Sequence, residues 1–339
     1  MVEKLKENWF IVLIAIVMIS FVGYFTYDST KYNVSSKKVD GKEVLATVAD
    51  KDVTADDLYN ESKAFDSALI YNMYRNAVVE QTVKTTDDLK DEAKKLENAI
   101  RSNANSADNF EESITAELAS YGYKSYDDLD DYCMMSVKEK EMNNKYVDKH
   151  FDELSDAVNK KQPRTISILS MAVADPASLS KEEQKKKDSI DKAIENEGFA
   201  SAAKSFSEDP ATSNNKGVYG FITSDDATSQ STPLDSTIIN SALALDKGKT
   251  SDWITVQDKN SGSIMLYKVH VDNTDLNEIH KAKNKDIKDQ VLYAFLNSNQ
   301  GLRTTILEDN AKKLDIKISD KETKQKLDAY IKQQKGENK

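Results

Sequence analysis

Residues able to act as metal ligands or nucleophiles are few and widely spaced in this chain. It contains three histidines, His150, His270 and His280, and one cysteine, Cys133. No histidine has a second one at ligand spacing, so the sequence poorly supports a structural zinc site or Ser-His-Asp chemistry. A single cysteine excludes an intramolecular disulfide and a Cys-x-x-Cys pair, and the sequence contains no Gly-rich phosphate loop. We therefore expect no metal and no cofactor.

Charge and composition exclude further classes of protein. The 339 residues carry a formal net charge of −11, which argues against a nucleic-acid partner because such proteins need a basic surface. The four aspartates between residues 127 and 131 are interpreted as a solvated face. Cys133 stands beside two methionines and is interpreted as a small core residue.

One segment near the N-terminus has the length and apolarity of a membrane span. Residues 9–27, WFIVLIAIVMISFVGYFTY, contain no charged side chain. A helix of that length rises roughly 28 Å, close to the hydrocarbon thickness of a bilayer. A cleaved signal peptide is the alternative, but bulky aromatic residues fill the expected cleavage zone and no A-x-A site is evident. Lysines flank both ends, so the positive-inside rule leaves the orientation open.

The pattern of apolar residues predicts an α+β chain in which helices surround a compact mixed domain. Between Met1 and Gln162 the sequence has no proline and shows helical spacing, after one short strand at Val44–Val53. All four prolines lie from residue 163 to residue 233, in a stretch of short strands and glycines. Helical spacing returns after Asp275, and Leu314–Ser319 alternates like a short strand.

These patterns predict a discontinuous helical module with a smaller domain inserted in it. The predicted divisions are an N-terminal segment 1–8, a transmembrane helix 9–27, a linker 28–43, an N-terminal helical part 44–161, an α+β domain 162–274, C-terminal helices 275–320 that complete the module, and a last helix and tail 321–339.

The order of these segments resembles the PrsA-type extracytoplasmic foldases and their SurA and PpiD relatives. Those proteins carry a helical chaperone module interrupted by a parvulin-type peptidyl-prolyl isomerase domain. The likeness lies in ATVADKDVTADDLY from Ala46, GFASAAKSFSEDPATSNNKGVYGF from Gly198 and SALALDKGKTSDWI from Ser241. Two C-terminal stretches, NKDIKDQVLYAFLN and KKLDIKISD, add to it. The resemblance spans about residues 44–320 and implies that the module lies outside the cytoplasmic membrane, with the N-terminus inside.

The resemblance also implies where the isomerase site would be. Asp209 matches the family position that holds a cysteine or aspartate. Ser167 stands where the first-strand histidine is usual, and Met265 stands near the last-strand histidine, so both usual histidines are absent. His270 lies about five residues further along and is not expected to replace the second one. Phe221 and Ile222 are expected to form part of an apolar wall for substrate.

An isomerase needs no covalent chemistry, but it must favour a twisted X-Pro amide over the planar one against a barrier of about 18–20 kcal/mol. Without the two histidines Asp209 loses its usual partners, and it is also interpreted as a turn residue before Pro210. We therefore expect a membrane-anchored foldase that binds unfolded or newly exported polypeptides, with weak or no isomerase activity. An active isomerase and a non-chaperone envelope scaffold are the alternatives.

A holding chaperone would expose apolar side chains on its helical module. The candidates for that surface, each equally open to a core role, are Tyr71, Met73, Tyr74, Tyr121, Tyr123, Tyr126, Met134 and Met135.

Overall fold

The structure, a computed structural model, describes residues 38–39, 42–48, 51–54, 67–103, 110–229, 232–257, 262–314 and 316–337. The chain divides into two compact units, Met1–Ile70 and Tyr71–Lys339. The predicted transmembrane segment 9–27 lies outside the described residues. Within the described ranges, no helix combines the length and the apolar character that crossing a bilayer requires.

The first unit contains a three-stranded antiparallel sheet in the order β1-β2-β3. Its strands are β1 (Lys38–Val39), β2 (Lys42–Val48) and β3 (Lys51–Thr54). The segment predicted as one strand, Val44–Val53, is therefore a hairpin that turns between Val48 and Lys51. Two of these strands also begin inside the range predicted as linker. Alternation alone could not show the turn, since both arms of a hairpin keep the same two-residue period.

The second unit begins with five helices. Their bounds are α1 (Ser67–Thr82, which starts in the first unit), α2 (Asp87–Asn103), α3 (Phe110–Ser120), α4 (Leu129–Lys149) and α5 (Phe151–Asn159). A short 3-10 turn precedes α4, and there Ser125 donates its backbone N–H to Asp128 Oδ2 at 3.0 Å. Cys133 is fully buried, as the sequence predicted, in a small core shared by α2, α3 and α4.

A four-stranded antiparallel sheet follows, in the order β5-β4-β7-β6. The elements of this part are β4 (Arg164–Val173), α6 (Lys181–Glu197), α7 (Phe199–Phe206), β5 (Val218–Ile222), α8 (Ser236–Leu243), β6 (Ile254–Gln257) and β7 (Ile264–Asn273). Leu169 and Met171 of β4 pack with α6 and α7, whereas Ile166 and Ile168 pack with α8. Both faces of the sheet are therefore covered, and the α+β prediction is confirmed.

A tryptophan on this sheet unit is held by charged neighbours. The Trp253 indole N–H donates to both carboxylate oxygens of Asp191, at 3.0 and 3.1 Å. Lys187 and Lys268 form ion pairs with Asp191 at 3.1 and 3.4 Å, and both ammonium groups lie over the indole ring. Burial opposes ionisation of Asp191, but these donors and cations outweigh it, so the pKa of Asp191 lies below its usual value.

The C-terminal helices pack against the helices that precede the sheet. The C-terminal helices are α9 (Leu276–His280), α10 (Lys285–Ser298), α11 (Leu302–Ala311) and α12 (Lys321–Lys335). One apolar core joins Val79 of α1, Met142 of α4, Phe295 of α10 and Ile306 of α11. Residues 316–319, within the segment predicted as a strand, form none, because an alternating segment becomes a strand only beside a pairing partner.

Candidate functional site

Asp209 lies in the turn after α7, and its polar atoms bond within that turn. Its Oδ2 accepts the Thr212 N–H at 3.1 Å and also the Thr212 hydroxyl. Its backbone carbonyl accepts the Ser213 N–H at 3.0 Å. These bonds are the ones an aspartate makes when it closes a turn. The structure therefore shows the turn role, and a catalytic role for Asp209 stays a prediction.

Ser167 is buried in β4 and bonds to a carboxylate on the neighbouring strand. It is 4% exposed, and its hydroxyl donates to Asp272 Oδ2 at 2.9 Å. Protein packed around the Asp272 carboxyl disfavours its charged form and raises its pKa, while Ser167 and His270 oppose that shift. The Ser167 hydroxyl is thus already paired.

The residue directly opposite Ser167 in the strand register is His270. Its ring stacks on Phe199 with the ring centroids 5.2 Å apart, and its Nδ1 lies 2.8 Å from the Thr250 hydroxyl. From the sequence, His270 was not expected to replace the second histidine, because it stands several residues beyond the expected position in β7. Only the pairing of β4 with β7 shows that His270 is the cross-strand neighbour of Ser167, because such neighbours depend on register rather than on spacing within one strand.

Met265 lies at the opposite end of β7, where it pairs with Ala172 of β4 and Val256 of β6. Ala172 is five residues beyond Ser167 along β4, which corresponds to roughly 16 Å at the rise of a strand. Alternation along the strands also places Ser167 and Met265 on different faces of the sheet. Among the described residues, no hydrogen bond or ion pair links Asp209, Ser167 or Met265 to one another.

The two predicted wall residues occupy the end of β5, where the sheet meets α10. Ile222 is 1% exposed and packs in the core of the sheet beside α8, whereas Phe221 joins the core of the helical module. The Phe221 N–H donates to Gln290 Oε1 of α10 at 2.8 Å. Both residues therefore help to join the sheet to the C-terminal helices.

Phe221 and Ile222 also line an open cleft of about 530 Å³. Its sheet side continues through Tyr219 and the loop that follows β5, and its other side is α10. Burial raises the pKa of the Tyr219 phenol, and the nearby carboxylates of Asp226 and Asp209 raise it further. The cleft thus contains both predicted wall residues, and the charges of Asp226 and Asp209 act on the Tyr219 phenol that lines it.

The eight aromatic and methionine side chains considered for a client surface are mostly packed. Met73 is 58% exposed, and six of the others are partly buried against the cores of the helical module. The remaining one, Tyr121, is partly buried and lies against Tyr132 with the ring centroids 5.3 Å apart. Tyr71, for example, lies against Tyr330 with the ring centroids 5.1 Å apart. In the part of the chain that the structure describes, no group of three or more His, Cys, Asp or Glu residues could hold a metal ion.

Residues 153–240 match the sequence model of the PPIC-type PPIASE domain, that is, the parvulin-type isomerase domain. The matched residues run from α5 to α8 and include β4, Asp209 and β5. The resemblance predicted from the sequence is confirmed for this domain. No curated protein sequence matches the chain.

Several solved structures are similar to this chain. The foldase protein PrsA from Streptococcus pneumoniae is 19% identical, with a TM-score of 0.43, over 85% of this chain and 99% of that one. PrsA from Bacillus subtilis is 21% identical, with a TM-score of 0.43, over 85% and 98% of the two chains. A structure described as one of two SurA-like chaperones of Campylobacter jejuni is 15% identical, with a TM-score of 0.23, over 81% and 100%.

Proposed function

We propose that this chain is a foldase that binds unfolded, newly exported polypeptides, and that its parvulin-type domain contributes little or no isomerase activity. The observation that carries the proposal is the match of residues 153–240 to the isomerase domain. The site positions within and beside that match do not form one cluster.

The weak-isomerase part of the proposal follows from how the polar groups are engaged. Catalysis requires groups that interact better with the twisted amide than with the planar one. Asp209 accepts two bonds from Thr212, and Ser167 donates to Asp272. The Ser167 O–H and Asp209 Oδ2 are engaged in the resting protein, so these atoms can bond to a twisted amide only by giving up a contact. Met265 offers no hydrogen-bond donor.

We also propose that residues 9–27 anchor the chain in the cell membrane as a single span, with the helical module on the extracytoplasmic side. The support is the absence of charge over these 19 residues together with aromatic residues at both ends. A retained anchor would keep the foldase close to chains that emerge from the membrane.

An active isomerase is the second candidate, because Asp209 lies within the matched domain and its charge reaches Tyr219 in the cleft. The two are separated by NMR exchange measurements on an Ala-X-Pro peptide with the full chain in detergent micelles. We expect cis/trans exchange to stay at the uncatalysed rate, tens to hundreds of seconds at 25 °C. Acceleration that is lost in Asp209→Ala would refute the weak-isomerase proposal.

The holding activity has its own test. The same preparation is mixed with a chemically unfolded client, and aggregation is followed by light scattering against micelles alone. We expect the chain to suppress aggregation in proportion to its concentration. Scattering equal to that of micelles alone would contradict the foldase proposal, whatever the NMR result.

A further inference from the structure

The cleft beside β5 has apolar surface on both sides. Phe221 and Pro233 lie on the sheet side, and Ala294 and Tyr293 lie on α10. Tyr293 is 63% exposed, more than any other large apolar side chain among the described residues. Aromatic residues of this kind, exposed beside a cleft, commonly anchor binding partners.

The two sides of the cleft are fixed to each other. Gln290 of α10 accepts the Phe221 N–H at 2.8 Å. Gly220 has a φ of +135°, and a Cβ atom there would come within 2.6 Å of Gln290 Oε1. The amide end of the Gln290 side chain thus occupies the space that a Cβ atom at residue 220 would need. A cleft built this way exists before its ligand arrives, which lowers the entropy lost on binding.

The charges of the cleft have one sign. Among the described residues that line it are three aspartates, Asp225, Asp226 and Asp289, and no lysine or arginine. Asp225 and Asp289 also form ion pairs with lysines that are not part of the lining. The bonds of Asp226 come instead from the neutral groups of two threonines, at 2.7 to 3.2 Å, so its charge is not neutralised.

We infer that this cleft binds an extended segment of unfolded polypeptide in which an aromatic or large aliphatic residue stands next to lysine or arginine. The apolar residue would pack between Phe221 and Tyr293, and the cation would lie close to Asp226. A cation can also lie over the face of an exposed tyrosine ring. This inference rests on the proposed function and assigns its client contact to one surface.

The test uses two labelled peptides, one of alternating phenylalanine and arginine with serine spacers, the other with glutamate in place of arginine. Fluorescence anisotropy measures their binding to the full chain in micelles. We expect the basic peptide to bind more tightly and to weaken as salt screens the aspartates. Equal affinities for the two peptides, or no binding of the basic one, would overturn the inference.

Two variants locate the binding. We expect Tyr293→Ser to weaken the basic peptide roughly fivefold or more, the usual effect of truncating an anchoring aromatic. Asn297→Lys adds a cation at an exposed position of the cleft and should weaken the basic peptide selectively. Ile316→Ser and Asn277→Lys make comparable changes at exposed positions outside the lining and should leave the affinity unchanged.

The outcomes separate the cleft from the proposed function. If the wild-type chain suppresses aggregation but both cleft variants bind the peptide as it does, the cleft assignment is wrong and the foldase proposal stands. If the chain neither binds peptide nor suppresses aggregation, both fail. Sedimentation that shows a dimer dissociated by Tyr293→Ser would assign the cleft to a second copy of the chain and overturn the inference.

Discussion

The ion pair between Lys138 and Glu80 should respond very differently to the loss of one partner or the other. Lys138 of α4 is 1% exposed, yet its side chain ends in an ammonium group. Its Nζ lies 2.7 Å from Glu80 Oε2 of α1, and the Glu80 side chain is 52% exposed. The cation is thus the buried partner and the carboxylate is the solvated one.

The magnitudes follow from that asymmetry. Removing one partner of a fully buried pair costs about 3–5 kcal/mol, because the remaining charge is left uncompensated. Glu80 is half-exposed and glutamine can still accept a hydrogen bond, so we expect Glu80→Gln to cost about 1–2 kcal/mol. Lys138→Met removes the buried charge and keeps a long, flexible chain, while Glu80 returns to water. We expect that variant to lie within about 1 kcal/mol of wild type.

Urea unfolding of the full chain in micelles, followed by circular dichroism, measures both free energies. The double variant completes a cycle and should resemble Lys138→Met, because the carboxylate matters only while the ammonium is present. Each single variant serves as the control for the other. The reasoning is refuted if Lys138→Met is destabilised as much as Glu80→Gln, or if Glu80→Gln unfolds at the wild-type midpoint.

Three further predictions concern other parts of the chain. Gly220→Ala should lower the free energy of unfolding by about 1–3 kcal/mol. Adding Gln290→Ala removes the clash but not the strain of the positive φ, so it should restore only part of the lost stability. Urea midpoints measure the stability of the single and the double variant. Burial raises the pKa of the Cys133 thiol to about 11, so it should not react with thiol reagents at neutral pH until urea unfolds the chain. Because the pKa of Asp191 is lowered in the folded chain, its carboxylate stabilises the fold at pH values above about 3.9, the pKa of an aspartate in the unfolded chain. This contribution is lost as the pH falls through the pKa of the folded state. The difference in free energy of unfolding between wild type and Asp191→Asn should therefore shrink below about pH 4. A difference that grows there would contradict the stabilising role given to the contacts of Asp191 with Trp253, Lys187 and Lys268.

Local patterns in the sequence were enough to predict much of the secondary structure. Ser180 begins α6 with a capping box, in which its hydroxyl accepts the Glu183 N–H and Glu183 accepts the Ser180 N–H. Such signals depend on residues three apart, so they can be read from the sequence directly. The hairpin at 42–54 and the absence of a strand at 316–319 depend on which segments pair, and spacing along one segment does not contain that information.

The candidate site was harder to predict because its parts are distant in sequence. Phe221 and Ile222 were expected in an apolar wall, but the facing residues of the cleft, Gln290 and Tyr293, come from a helix about 70 residues later. The neighbours of Ser167 likewise depend on strand register. Only the approach of two elements determines either arrangement, and the sequence of each element alone is compatible with several approaches.

The shared core of the helical module has a consequence for how the chain itself is made. Every strand of the four-stranded sheet lies between residues 164 and 273, so that part can pair its strands as soon as this stretch has been synthesised. Val79 and Met142 instead pack with Phe295 and Ile306, which are synthesised more than 150 residues later. During synthesis the apolar faces of α1 and α4 therefore remain uncovered until α10 and α11 have been made. A protein proposed to protect unfinished chains passes through the same exposed stage while its own folding is completed.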